Sequence, residues 1–171
     1  MKLKNWYICK AAKRSSSDGV ALVVKSLDNT SVTLQGSGSS GVTQVTRLAQ
    51  ISTSAYYPAT NGGCNVICGS GNTAPTIDDY CLETPFKTLG VVSSVYKQLV
   101  ENDVIIGTSY IKTLTNNTGA EITINEVGVV TTNSSSTVND STSILVERTV
   151  LESPITVPDG ATFTITFNEL Y

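Results

Sequence analysis

The sequence predicts an all-β protein, an antiparallel β-sandwich of jelly-roll-like kind with an N-terminal arm or hairpin. Three observations carry this. Residues 161–167, ATFTITF, alternate strictly, with Ala161, Phe163, Ile165 and Phe167 on one face and threonines on the other, the period of a strand with one buried face. Apolar β-branched runs recur along the chain with Gly-, Asn- and Pro-bearing turns between them, and there is no βα alternation. No segment offers three turns of apolar residues at helical spacing with caps.

Taken in chain order, the early strand candidates are short: Trp6 to Lys10, Val20 to Lys25, Ser31 to Leu34 and Val42 to Ile51. Asp28-Asn29 joins the second and third as a turn. Residues 36–41, GSGSSG, have the composition of a linker. They divide the chain into an N-terminal arm or hairpin, 1–41, and a β-sandwich body, 42–171. Residues 52–86 are rich in Ser, Asn, Gly, Pro and Tyr and read as one long functional or interfacial loop. Longer strands follow at Leu89 to Val100, Val104 to Leu114, Glu121 to Val130 and Ile144 to Leu151. Gly128 interrupts the third of these and signals a bulge or a close backbone approach. Asn116 to Gly119 and Pro158 to Gly160 carry turn chemistry and are expected to close hairpins between sequential strands. Only Gln44 to Ile51 and Val95 to Glu101 leave room for one or two helical turns.

Composition excludes much chemistry. Of 171 residues, 40% are hydrophobic and only 15% charged, too apolar for a disordered chain and too often interrupted for a membrane protein. Ser and Thr make up about a quarter. The net charge of -3 argues against a broad basic face for nucleic acid. There is no His, which removes Ser-His-Asp and Cys-His catalysis and His-ligated metals from a single chain. The apolar stretch Trp6 to Cys9 is too short for the core of a signal peptide, so synthesis in a cytosol is expected. Cys9, Cys64, Cys68 and Cys81 lack the two tight pairs of a zinc site. Buried thiols are the main expectation, with a Cys64–Cys81 disulfide as the alternative in an oxidising exterior.

Asp78, Asp79 and Glu83 form the tightest acidic cluster and are weak candidates for Ca²⁺; a solvated turn is the competing role. Glu126 and Glu147 interrupt apolar strands, and Arg148 is a candidate partner for a strand carboxylate. A glycosidase pair would have to come from these acids together with Glu121 and Glu152. Gly69-Ser-Gly-Asn-Thr superficially resembles a phosphate loop but lacks the Lys-Ser/Thr that follows one. Tyr56 and Tyr57, with Tyr80 and Tyr96, are candidates for an aromatic platform facing a glycan or a subunit, against core or loop packing as the commoner role of such residues. Lys2, Lys4, Lys10, Lys13 and Arg14 concentrate positive charge at the N-terminus, suited to docking an arm on an acidic neighbour, with an exposed charged terminus as the commoner role of such a run.

Residues 69–85, GSGNTAPTIDDYCLETP, resemble a segment of small structural proteins of tailed bacteriophages and prophages. Residues 115–128, TNNTGAEITINEVG, and 145–160, LVERTVLESPITVPDG, resemble later segments of the same proteins in the same order. The resemblance spans roughly residues 68–168. It implies a non-enzymatic virion component, an auxiliary head protein (decoration, minor capsid or head fibre) or a tail component. Its expected partners are copies of itself, as a trimer or larger symmetric assembly, and other virion proteins, without a cofactor, nucleic acid or membrane. The alternative is a carbohydrate- or receptor-binding β module at a fibre tip, meeting a host-surface glycan.

Overall fold

A computed structural model of the chain describes residues 1–5, 7, 22–34, 56, 64–132 and 143–170. Their strands are β1 (Leu22–Lys25), β2 (Ser31–Leu34), β3 (Cys64–Gly69), β4 (Gly90–Glu101), β5 (Val104–Thr115), β6 (Ile122–Thr132), β7 (Ser143–Val157) and β8 (Thr162–Leu170). They form a β1-β2 hairpin and two three-stranded antiparallel sheets, ordered β3-β6-β7 and β4-β5-β8. The two larger sheets pack face to face as a β-sandwich.

Each sheet contributes to the buried layer between them. Cys68, Ile122, Ile124, Val127 and Val157 of the first meet Leu89 and Leu114 on the side of the second, with Phe163, Ile165 and Phe167 at the margin. Beside them, Cys64, Val66 and Val129 meet Tyr110, whose ring lies 6.0 Å from that of Tyr96. The alternation of β8 holds: Phe163, Ile165 and Phe167 are half-buried while Thr162, Thr164 and Thr166 are exposed. On the outer face of this sheet, threonine hydroxyls pair across strands, Thr113 with Thr164 at 3.0 Å and Thr115 with Thr162 at 3.1 Å.

The β3-β6-β7 sheet is covered on its other face as well. Ile67, Val130 and Leu145 pack there with Leu3, Leu27, Tyr56 and Leu82. Two residues of the 1–41 segment therefore belong to a core shared with the body. All six residues of β3 are buried, as befits a strand covered on both faces. Residues 1–3 also run along the side of β7 away from β6: Lys2 bridges Glu147 in antiparallel register, the Leu3 amide donates to the Val146 carbonyl (3.0 Å), and the Arg148 amide to that of Met1 (3.1 Å).

Several expectations are corrected. β3 lies inside the stretch expected to be one long loop. Val95 to Glu101 forms no helical turn but continues the strand expected at Leu89 to Val100, and Tyr7, expected in a strand, is helical. Asn116–Gly119 and Pro158–Gly160 do not close hairpins; each carries the chain from one sheet to the other, β5 to β6 and β7 to β8. The two crossovers bind each other: the Asn116 amide group donates to the carbonyls of Ala120 and Val157, and Gly160 N–H donates to the Asn116 carbonyl at 2.7 Å. Asp28-Asn29 does close the β1-β2 hairpin, with Asn29 at φ 66°. The tight turn that sequence reading passed over is Asn102-Asp103 between β4 and β5, both residues at positive φ (49° and 63°), the backbone of a primed hairpin turn. Gly128 marks a close approach, since a Cβ there would lie 2.9 Å from the Glu147 carbonyl oxygen. The expected elements at Val42 to Ile51 lie outside the described residues.

Candidate functional site

The most developed polar constellation is built on Arg148 of β7. Its guanidinium is almost fully buried and reaches three partners: Nε donates to Glu126 Oε2 at 2.8 Å, Nη1 to Asp79 Oδ2 at 2.6 Å, and Nη2 to the Thr73 carbonyl at 3.1 Å. Glu126, on the adjacent strand β6, is fully buried. Its remaining acceptor capacity is taken by backbone amides of the 70–86 segment: Gly71 (3.2 Å) and Thr84 (2.9 Å) on Oε1, and Glu83 (3.1 Å) on Oε2. A buried carboxylate with four N–H donors, one of them charged, satisfies the general requirement on ions removed from water.

The same pattern explains the glycines that imitate a phosphate loop. A Cβ on Gly71 would sit 2.7 Å from Glu126 Oε1, and one on Gly69 would sit 2.4 Å from the Thr84 carbonyl oxygen. The segment curls around an anion, but that anion is the protein's own carboxylate. Its ends are closed by backbone bonds, Ser70 N–H to the Thr84 carbonyl and Phe86 N–H to that of Cys68, both 2.9 Å.

The acidic cluster divides. Asp79 accepts from Thr76 Oγ1 (2.6 Å) and from Arg148. Burial pushes its carboxyl upward, but these hydrogen bonds outweigh it and hold the carboxyl below its ordinary range. Glu83 accepts from the Thr73 amide and hydroxyl at 2.9 and 2.8 Å, which likewise lower it. Asp78 points away to Lys4 at 3.3 Å, with both side chains exposed. Two of the three candidate Ca²⁺ ligands thus fasten the loop. Among the described residues no group of three or more His, Cys, Asp or Glu side chains is placed to hold a metal.

The other singled-out residues are placed as follows. Tyr56 is 1% exposed within a core cluster, with Lys87 Nζ 4.7 Å from its ring centre; of its two expected roles this is core packing, and Tyr56 is not part of an exposed platform. Tyr57, Lys10, Lys13 and Arg14 lie outside the described residues. Lys2 is held within the chain by Glu169 at 2.8 Å and Glu147 at 3.7 Å. Burial raises the Glu147 carboxyl above its ordinary range, with Lys2 opposing. Tyr80 helps line a cavity of about 360 Å³, together with Lys4, Asn5, Val24, Lys25 and Asp78.

Sequence reading did not identify Lys112 and Asn65. Lys112, of β5, is fully buried and donates through Nζ to the side-chain carbonyl of Asn65 on β3, itself fully buried. Cys64 and Cys68 lie on the same strand, β3; burial pushes both thiols up to about 12, and no disulfide joins Cys64, Cys68 or Cys81. The signal was a lysine between Tyr110 and Leu114 at the apolar positions of an alternating strand. Compared with protein-family models, curated proteins and solved structures, the chain matches none.

Proposed function

We propose that the chain is a non-enzymatic structural protein of a tailed-phage virion, an auxiliary head protein or a tail component, that acts by associating with copies of itself and with other virion proteins. The observation that carries this reading is the β4 side of the β4-β5-β8 sheet. Among the described residues β4 is a twelve-residue edge strand, on which Val92 and Val100 are 61% and 57% exposed, and Val104 and Ile105 continue the apolar surface around the hairpin. A long edge strand with exposed apolar side chains is a template for pairing or packing. The neutral threonine ladder beside it offers surface that can be covered without burying unpaired charge. The resemblance of residues 68–168 to phage structural proteins supports the same reading.

Light scattering of the purified full chain, compared with a Val92→Lys/Val100→Lys variant on the exposed strand, tests the association. An assembled wild type and a dissociated, folded variant are expected. A wild type that stays monomeric at high micromolar concentration refutes self-assembly. Mass spectrometry of purified particles tests the virion assignment, and electron microscopy locates the protein on head or tail.

The second reading is glycan recognition, favoured by the cavity lined by Tyr80, Lys4, Asn5, Lys25 and Asp78. An aromatic face with convergent polar groups suits a sugar. Glycan-array binding lost in Tyr80→Ala supports it, and absence of binding by the wild type ends it.

A further inference from the structure

We propose that Lys112 and Asn65 condense to an intramolecular isopeptide bond that covalently joins the two sheets of the sandwich. The two side chains come from strands in different sheets, β5 and β3, and Lys112 Nζ already contacts the Asn65 carboxamide. Both residues are fully buried, on strands that face each other across the interior where Cys64, Val66, Cys68, Tyr110 and Leu114 are also buried. Burial holds nucleophile and acyl carbon together without competing water, the condition under which an intramolecular acyl transfer gains most. The reading does not depend on a virion role.

Burial also prepares the nucleophile. Desolvation lowers the Lys112 ammonium from its ordinary range to about 8, so a useful fraction is neutral amine near pH 7.5. Cys64 and Cys68 remain thiols at that pH. In the reaction the Nζ lone pair attacks Asn65 Cγ, the Cγ–Nδ2 bond breaks, and one Nζ proton passes to Nδ2, which departs as ammonia. The products are one secondary amide and one ammonia. Atoms and electrons balance without an oxidant, a metal or a second substrate.

The test is the intact mass of the full chain, purified and kept reduced so that disulfides do not contribute, followed by proteolysis and fragmentation. The expected result is a mass lower than the unlinked chain by one ammonia, and a branched peptide joining the Lys112 and Asn65 segments. Conversion is expected to accelerate as pH is raised through 8. Lys112→Met is expected to keep the full unlinked mass. In Asn65→Asp the same condensation releases water and reaches the same branched product. An unshifted wild-type mass with both segments recovered as linear peptides overturns the proposal. So does an ammonia loss that persists in Lys112→Met, because it then arises without the lysine.

Discussion

Replacing Glu126 with Gln removes one charge while keeping the shape of the side chain. In the native site the two carboxylate oxygens receive Arg148 Nε and the amides of Gly71, Glu83 and Thr84 at 2.8 to 3.2 Å. A carboxamide has one acceptor oxygen and must turn its NH₂ toward two of these donors, whichever way it is flipped. Asp79 still faces the guanidinium at 2.6 Å, but the partner with no solvent access is lost. Breaking a buried ion pair by removing one partner costs about 3–5 kcal/mol. For a chain of this size that corresponds to a fall in melting temperature of roughly 6–20 °C. The assay is thermal unfolding followed by circular dichroism, joined to hydrogen exchange at the amides of Gly71, Glu83 and Thr84. Those three are expected to lose protection before the strands do. A melting temperature lowered by less than about 2 °C, with the three amides still protected, would refute the claim that this carboxylate holds the loop. Lys4→Ala, which removes an ion pair whose side chains are 64% and 73% exposed, serves as the contrast and is expected to fall within about 0.5 kcal/mol of wild type.

Further predictions concern the same body. Asp79 has a lowered folded-state pKa, so the stability it contributes is present above the ordinary carboxylate range and is lost as pH falls through the lowered value; Asp79→Asn is expected to flatten the acid limb of a denaturation-midpoint profile between pH 7 and 3. Glu147, with its pKa raised, acts in the opposite sense, so Glu147→Gln is expected to steepen that acid loss. Gly69→Ala places a methyl group 2.4 Å from the Thr84 carbonyl oxygen and is expected to destabilise the chain by about 1–3 kcal/mol in urea unfolding. Asp103→Gly relieves a non-glycine residue at φ 63° and is expected to stabilise by up to about 1 kcal/mol in the same measurement.

The strands most legible in the sequence were those with one wet face. β8 alternates because its threonines meet solvent and its phenylalanines meet the other sheet. β3 was illegible for the opposite reason: Cys64 to Gly69 is covered on both faces and has no alternation to read, and its cysteines, asparagine and glycine resemble the loop around it. The crossovers were misread because turn residues report a reversal of the chain, not which sheet the chain enters next. Asn116 has the same local chemistry in a hairpin as in a crossover, and only its bond to the distant Val157 carbonyl distinguishes them. In the candidate site, Arg148 was foreseen as a carboxylate partner, but Asp79 is 69 residues away from it in sequence. Lys112 was visible only as a violation of pattern, a cation at an apolar position.

The first three residues behave as a surrogate strand laid on β7. The β7 backbone at Val146 to Arg148 is thereby satisfied by the chain itself and is closed to strand addition by another molecule. A variant lacking residues 1–5 exposes the β7 amides and carbonyls and vacates the place of Leu3 among Tyr56, Ile67 and Leu82; promiscuous aggregation is its expected phenotype.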